Sequence, residues 1–557
     1  MKKNKNPLWK YLYELKHQDL IYPILIYAIY LILRLIAWEN TYNIGEDSDS
    51  LAYISAIKTF LFFNFNNIAN LPSTVNPFYP IFGALCSIPG WSVEIGARIC
   101  SLIFSSILFW AVWGIGKKLD KTFGVAMGLM ILCFSPILIS LSYSILSEST
   151  YIGLIYLGLW LFLNQFKNPQ IYKAGLLGII FGLSFLSRTE GIIYIGIIPL
   201  FQIIYLLLNK LNAQVFKRYL VWTFVYVVCF IIVITPQIVR VSYKMGKFSI
   251  NGRQVWSNIL LKQDGKSYDE KIYGLDFSPR QVNLDYLLEY PEEGVKYSSS
   301  INLRKYIRLF MDQFKIVYQN KLGILIGPIG FIYFGFGVIS LFNAGKRYEV
   351  IFIISFTCFN LILPMLFTAA LRHMAVIVPL IIMVEGIGLV YFCEFIMKDH
   401  GAESVKKYIL CFILFLFLIG TSVFVLRDET LYPPKHYPEY SLEDLKVPVA
   451  LIKEITKEEL HNQPVIVARY HYVTYYANGA KVKLPFTDYM GLVKYCRLNN
   501  ADFLYLHYGT CEKFPFLSSF INNKYTNDFN LIYKGKDSFF GKSIEMYRVR
   551  RENNNKS

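Results

Sequence analysis

Charged residues are scarce in this sequence. Asp, Glu, Lys and Arg make up only 17% of the 557 residues, whereas soluble domains carry about 25%. Apolar residues make up 54% of the chain, and aromatic residues, which favour membrane interfaces, make up 17%. This composition excludes an ordinary soluble globular protein and predicts an integral membrane protein.

Histidine and the common catalytic motifs are also scarce. The chain has only seven His, and their scatter argues against an imidazole-based metal site. It has no Walker A glycine loop, no Gly-x-Ser-x-Gly elbow, no His-Glu-x-x-His and no Cys-x-x-Cys. The enzyme classes that depend on these motifs are therefore not indicated.

Most of the nine cysteines lie in apolar segments and are predicted to be small buried hydrophobic residues. Cys496 and Cys511 differ because they lie in the polar C-terminal tail. They could form a disulfide if that tail is extracytoplasmic, although spacing alone does not fix the geometry of a bridge.

The formal net charge of +17 reflects membrane orientation rather than nucleic-acid binding. The basic residues concentrate at the N-terminus and in alternate short turns between apolar segments, for example Lys117-Lys118 and Lys346-Arg347. This is the positive-inside pattern, and it predicts a cytoplasmic N-terminus. The first apolar segment follows no cleavable-signal pattern, so we expect it to remain as an anchor.

About 20 apolar residues are needed for one membrane crossing, and this criterion predicts about eleven spans. Three longer pieces then fall on the extracytoplasmic side: a first loop over 40–93, a long loop over 240–322 and a tail over 428–557. The strand–helix–strand pattern of the tail predicts a small α/β domain, after a transmembrane module over 1–427. The predicted spans are 21–38, 94–116, 122–140, 143–163, 173–187, 190–208, 219–239, 323–343, 349–367, 375–396 and 408–426.

An acidic segment, Glu46-Asp47-Ser48-Asp49, follows directly on the first span. Like charges this close repel each other, so the pKa of one carboxyl group rises unless water, a metal ion or cationic side chains offset the repulsion. The segment is therefore a candidate for a general base or a metal ligand. Asp47 and Asp49 could hold a hard cation such as Mg²⁺ or Mn²⁺, although an isolated Asp-x-Asp is weak evidence. The alternative is a solvated loop that caps the helix beginning near Ser50.

Other charged residues are predicted at the extracytoplasmic ends of spans, where their cost makes each one a functional candidate. The alternative is that they snorkel, or pair with each other to hold helix ends together, as Arg188 and Glu190 could in a tight turn. Basic side chains here could neutralise a lipid phosphate leaving group, while a carboxylate deprotonates an acceptor hydroxyl. The acidic candidates are Glu148 and Glu190, and the basic ones are Arg98, Arg188, Lys244, Arg372 and His373.

Taken in order, these motifs resemble the GT-C superfamily of polytopic glycosyltransferases, and within it the protein O-mannosyltransferase and aminoarabinose transferase group (family 39-like). The resemblance covers nearly the whole chain. The usual Asp-Glu pair of the family is replaced by Glu46-Asp47-Ser48-Asp49, so Asp47 competes with Asp49 for the position of the base. The matching elements are Asp49 to Tyr53, Pro77-Phe78-Tyr79-Pro80, Ser147-Glu148, Arg188-Thr189-Glu190-Gly191, and Arg372-His373 with Pro379.

The resemblance implies a mainly α polytopic helix bundle with a small extracytoplasmic α/β domain in the cell (inner) membrane. It implies an inverting glycosyltransferase of the cell envelope that uses an undecaprenyl- or dolichyl-phosphate sugar, with no cofactor strictly required and no nucleic-acid partner. The acceptor, whether glycan, lipid or protein, is left open. A flippase or transporter, or a polymerase or ligase of lipid-linked saccharides, is the alternative. Paired interrupted helices at the midplane, expected of a transporter, are not seen.

Overall fold

The computed structural model of the chain is mainly α-helical, with a five-stranded β-sheet in the C-terminal part. Both features agree with the predicted fold class. The structure describes residues 18–41, 48–62, 71, 74–120, 123–209, 213–251, 307, 310–312, 314–315, 317, 327–365, 371–397, 404–427, 442–460, 463–469, 472–522, 527–537 and 541–550.

The chain divides into two compact units, each formed by three separate segments. Unit 2 joins the segments predicted as the first loop, the long loop and the tail, which the charge pattern predicts to lie on one side of the membrane. Unit 1 comprises Met1–Glu39, Arg98–Thr235 and Ile307–Tyr432, and unit 2 comprises Asn40–Ala97, Pro236–Tyr306 and Pro433–Ser557.

Within the described residues, helices lie in all eleven segments predicted to cross the membrane. Two further helices, α2 and α3, lie in the first loop. In chain order the helices are α1 (Gln18–Thr41), α2 (Ser48–Leu61), α3 (Phe78–Ser87), α4 (Val93–Leu119), α5 (Phe123–Cys133), α6 (Pro136–Tyr143), α7 (Glu148–Gln165), α8 (Ile171–Ser187), α9 (Tyr194–Asn209), α10 (Ala213–Met245), α11 (Pro328–Asn343), α12 (Arg347–Met365), α13 (Leu371–Met374), α14 (Val378–Met397) and α15 (Ser404–Arg427).

Fewer than eleven of the described helices meet the length and apolar composition expected of a single crossing. Among the described residues, five helices are long and apolar enough to cross a membrane, or six if the bent pair α5 and α6 counts as one span. Other apolar helices, such as α8, are shorter than this. The chain is thus a multi-pass membrane protein, and the number of crossings stays a prediction.

The predicted span over 122–140 is broken rather than continuous. Helices α5 and α6 meet at an angle of 58°, and the break falls just before Pro136. Proline lacks the N–H of a continuous helix and its ring crowds the preceding turn, so the break has a local cause. The guanidinium of Arg34 lies near the break, where it donates to the Cys133 carbonyl at 3.4 Å and stacks 3.2 Å from the centre of the Tyr30 ring.

The candidate span Arg372–Met397, which ends with α14, is the most enclosed of the five, with 89% of its apolar window buried. Two glycines allow its neighbours to approach this closely. A Cβ at Gly386 would lie 2.1 Å from the backbone nitrogen of Gly128, and one at Gly388 would lie 1.8 Å from the Tyr333 carbonyl oxygen. Small residues at such crossings are the usual basis of close helix packing in membranes.

In unit 2, the first-loop helices α2 and α3 pack against each other. The rings of Tyr53 and Tyr79 meet edge to face at 5.1 Å, and a Cβ at Gly83 would lie 2.7 Å from the Ile57 side chain. The Tyr79 hydroxyl donates to the Ala97 carbonyl at 3.2 Å. These contacts fix one side of α2.

The tail contains the predicted small α/β domain. Strands β1 and β3 and the helix that starts at Tyr489 lie where the sequence pattern predicts them, and Asp488 caps that helix by accepting from the Gly491 N–H at 2.8 Å. The sheet order is β2-β1-β3-β5-β4, with β1 parallel to β2 and β3, and β5 antiparallel to β3 and β4. The elements are α16 (Leu442–Ile455), β1 (Val465–Ala468), α17 (Tyr472–Tyr476), β2 (Ala480–Lys483), α18 (Tyr489–Leu498), β3 (Phe503–His507), α19 (Tyr508–Cys511), α20 (Leu517–Ile521), β4 (Phe529–Lys536) and β5 (Ser543–Val549).

The core of this domain encloses both tail cysteines as free thiols. Cys496 and Cys511 are each fully buried and belong to one apolar cluster with Leu504 and Phe520. The disulfide that the sequence left open is therefore not formed. Burial in this apolar core raises the pKa of the Cys496 thiol, so the protonated, unreactive form is favoured.

Candidate active site

A cluster of charged side chains forms the centre of unit 1. Glu148 is the first residue of α7, Arg188 follows the last residue of α8, and Glu190 lies in the 3₁₀ turn after it. Arg372 and His373 lie on the short helix α13. The structure thus brings together five predicted site residues that are up to 225 positions apart in the sequence (373 minus 148).

The turn that presents Arg188 has a defined local structure. Arg188 is extended, with φ −147° and ψ 135°, between α8 and the 3₁₀ turn Thr189–Ile193. A Cβ at Gly191 would lie only 2.5 Å from the Phe185 backbone nitrogen, so the turn can fold back on α8 only with glycine there. The Arg-x-Glu-Gly sequence therefore makes the close turn that points Arg188 at its partners.

Arg188 is the most heavily engaged cation in the cluster. It donates to Glu148 Oε1 at 2.5 Å and to Glu190 Oε1 at 2.7 Å. The side chains of Arg188 and Glu148 are only 7% and 3% exposed. Charges buried this deeply need such charge-assisted hydrogen bonds, because desolvation costs several kcal/mol per ion. The predicted local pair of Arg188 and Glu190 is present.

Arg372 is more exposed than Arg188. Its Nε lies 3.5 Å from Glu148 Oε1, the same oxygen that binds Arg188, and 34% of its side chain is exposed. Glu148 therefore lies between two guanidinium groups. Of these two cations, Arg372 is the one better able to reach a ligand from solvent or lipid.

A small cavity lies against this cluster within unit 1. Two of its lining residues, Tyr151 and Asn360, were missed by the sequence reasoning. Tyr151 follows Glu148 by three positions on one helix face, and Asn360 is an amide inside an apolar span that accepts from the Tyr194 hydroxyl at 3.0 Å. The cavity is lined by Glu148, Tyr151, Ile152, Arg188, Glu190, Asn360, Arg372, His373 and Val376.

The predicted base lies in unit 2. Asp49 is half-buried in the first turn of α2, where the helix dipole stabilises a carboxylate. Tyr53 follows one turn later, while Tyr79 is completely buried and serves as the packing partner of Tyr53. Glu46 and Asp47 lie outside the described residues. No cluster of three or more His, Cys, Asp or Glu able to hold a metal ion occurs in the part of the chain that the structure describes.

Lys244, predicted to bind a phosphate, contacts the first loop within unit 2. Its Nζ donates to the Leu71 carbonyl at 2.5 Å. Arg240, one turn earlier on α10, donates to the carbonyls of Leu71 and Val75 at 3.0 and 2.9 Å. These two cations therefore satisfy backbone carbonyls of the first loop, and phosphate binding by Lys244 stays a prediction.

Comparisons with known proteins agree with the fold. The family model described as dolichyl-phosphate-mannose-protein mannosyltransferase matches residues 79–238. No curated protein sequence matches the chain.

Solved structures match over most of the chain at low identity. ArnT from Cupriavidus metallidurans in the apo state is 10% identical, with 93% of this chain and 97% of that chain covered and a TM-score of 0.54. ArnT bound to undecaprenyl phosphate is 9% identical, with 95% and 98% covered and a TM-score of 0.51. The oligosaccharyltransferase AglB from Archaeoglobus fulgidus, in complex with an inhibitory peptide and a dolichol-phosphate, is 12% identical, with 93% and 74% covered and a TM-score of 0.51. The chain therefore shares the fold of ArnT and AglB, and the family model over residues 79–238 agrees with the GT-C resemblance that its motifs predict.

Proposed function

We propose that the chain transfers a sugar from a polyprenyl-phosphate donor to an acceptor hydroxyl on the extracytoplasmic face of the membrane, with inversion at the anomeric carbon. The observation that carries this proposal is the partly exposed Arg372 beside the buried Glu148–Arg188 pair. The neighbours support the donor class, since ArnT binds undecaprenyl phosphate and AglB binds a dolichol-phosphate.

The proposed chemistry assigns the leaving group to the cluster in unit 1. The acceptor oxygen forms a bond to the anomeric carbon while the bond from that carbon to the phosphate oxygen breaks. The phosphodiester then becomes a phosphomonoester and gains one negative charge. Arg372 stabilises that charge, because a guanidinium can bind two phosphate oxygens at once. Arg188, already engaged by two carboxylates, and Glu190 form the wall of the site.

The acceptor proton is assigned to the first loop. Asp49 accepts it as general base, with Asp47 as the competing candidate. A carboxylate is suited to this role because the hydroxyl becomes more acidic as its bond to carbon forms. The acid that remains after transfer releases its proton to water, so the enzyme returns to its starting state.

Proteoliposome transfer tests the function and the base together. Wild type, Asp47→Asn and Asp49→Asn would each receive radiolabelled polyprenyl-phosphate sugars and a membrane-extract acceptor pool. We expect wild type to label acceptor and Asp49→Asn to lose at least about 100-fold in rate, the contribution of a general base. If only Asp47→Asn loses transfer activity, the general base is Asp47 and not Asp49. If labelled lipid crosses the bilayer but no sugar is transferred, the protein is a flippase and the transferase proposal is wrong.

Arg372→Gln tests the phosphate clamp. We expect a rate loss of about 100-fold or more, since removal of one charge-stabilising group typically costs that much. Arg347→Gln is the matched control, because Arg347 lies beside Phe342 at the start of α12, about 20 Å along the helix from the cavity residue Asn360. Equal losses of transfer rate in Arg372→Gln and Arg347→Gln would contradict the role of Arg372 as phosphate clamp.

The proposal requires no metal ion. Transfer should therefore survive EDTA, and added Mg²⁺ or Mn²⁺ should not raise the rate of the EDTA-treated enzyme. Metal-dependent activity that Asp47→Asn abolishes would instead support a cation at Asp47 and Asp49. Orientation is tested separately with a C-terminal tag, which we expect proteases to reach only from the extracytoplasmic side.

A further inference from the structure

The hydroxyl of Tyr475 connects the C-terminal domain with the first loop inside unit 2. It accepts a hydrogen bond from Lys58 Nζ at 2.8 Å and donates one to Glu94 Oε1 at 2.6 Å. The Lys58 ammonium also lies 4.4 Å from the centre of the Tyr475 ring. One side chain of the C-terminal domain thus contacts α2, which carries Asp49, and the first turn of α4.

Tyr475 lies close in sequence to the carboxyl end of strand β1, and from there it contacts Lys58 and Glu94. Helix α17, which carries Tyr475, follows the carboxyl end of the parallel strand β1 after a short connection. The Tyr472 side chain of the same helix is buried, whereas Tyr475 is half-buried. The domain therefore anchors α17 through one tyrosine and presents the other to the first loop.

The connection reaches the exposed face of a helix whose other faces are buried within unit 2. Tyr53 and Ile57 of α2 contact α3, and Lys58 on another face contacts Tyr475. Lys58 lies nine residues after Asp49, about 13 Å along the helix axis. A helix of this length moves as a rigid rod, so a shift at Lys58 displaces Asp49 as well.

We propose that Tyr475 is a positioning residue through which the C-terminal domain holds α2, and with it Asp49, in its working place. This inference rests on the proposed function for the role of Asp49. The bond to the half-buried Glu94 fixes Tyr475 against α4, and the weaker bond from the exposed Lys58 links Tyr475 to α2. Loss of the hydroxyl should loosen α2 while leaving the donor-phosphate cluster of unit 1 intact.

Hydrogen–deuterium exchange of the full-length chain in lipid nanodiscs measures that loosening directly. In Tyr475→Phe we expect amides of Ser48–Leu61 to exchange about threefold faster, since the bond from Lys58 of α2 is lost together with the Glu94 bond that orients the Tyr475 ring beside Lys58. Lys58→Met should accelerate exchange by about twofold, and Lys58→Arg should restore it. Tyr533→Phe, on strand β4, removes a hydroxyl elsewhere in the domain and should change nothing in α2. Unchanged exchange in β3 shows that the domain remains folded.

Transfer kinetics provide the second readout. Tyr475→Phe should lower kcat by about fivefold to tenfold and leave the KM for the donor unchanged, because the phosphate contacts are not altered. Unchanged exchange in α2, or faster exchange with an unchanged kcat, would overturn the inference. If exchange in α2 is faster but wild type transfers no sugar, the structural link stands and the proposed function fails.

Discussion

Replacing Glu148 by Ala removes one of the two carboxylates that bind the Arg188 guanidinium. Because Arg188 is only 7% exposed, water cannot replace the lost partner, and breaking such a buried pair costs about 3–5 kcal/mol. Glu148→Gln keeps a neutral acceptor of similar shape, so its cost should be about 1–2 kcal/mol. Glu190→Gln should cost less than about 1 kcal/mol, because that side chain is 26% exposed.

The assay is thermal inactivation of the purified chain in one detergent at one scan rate, since unfolding of a protein this large is usually irreversible. We expect the apparent midpoint to fall in the order Glu148→Ala, Glu148→Gln, Glu190→Gln, with the largest fall first. The decisive variant combines Glu148→Ala with Arg188→Met. If the pair is coupled, the double variant should lose less than the sum of the two single losses. Strictly additive losses would refute the reasoning.

Three further predictions concern other parts of the molecule. Gly386→Ala should prevent folding or lower expression severely, because its Cβ would lie 2.1 Å from the Gly128 backbone nitrogen; a small effect on the apparent midpoint would contradict that packing. Burial lowers the pKa of His507 despite the Asp537 carboxylate 3.3 Å away. The unfolded chain therefore binds more protons below about pH 6.5, so stability should fall as pH falls through that region, and His507→Gln should flatten the profile between pH 7.5 and 5. Thiol reagents should not label Cys496 in the native chain, and reductant should not change stability, whereas loss of stability on reduction would indicate a disulfide.

The sequence predicted positions along the chain better than contacts between distant segments. Apolar segments and basic turns located the helices, because each span must meet the same length and charge conditions. The pair of Arg188 and Glu190 was predictable because only two positions separate them. The bond from Arg188 to Glu148 was not, since it depends on how α7 and α8 pack and spans 40 positions.

The errors also have physical reasons. A hydropathy window cannot detect the break before Pro136, because the residues on both sides are equally apolar. The same window concealed Arg34, a buried cation that binds carbonyls and a tyrosine ring instead of a carboxylate. Tyr79 matches a family motif and packs in the interior, so a motif alone did not separate packing from ligand contact. Spacing also could not decide whether Cys496 and Cys511 pair.

The most direct test of the central claim is to identify the lipid that wild type releases from a radiolabelled polyprenyl-phosphate sugar in proteoliposomes. The account predicts free polyprenyl phosphate, formed only when acceptor is present and in equal amount to the glycosylated acceptor. The new glycosidic bond should have the opposite anomeric configuration to the donor. Intact donor recovered from both leaflets, or a product with retained configuration, would contradict the account.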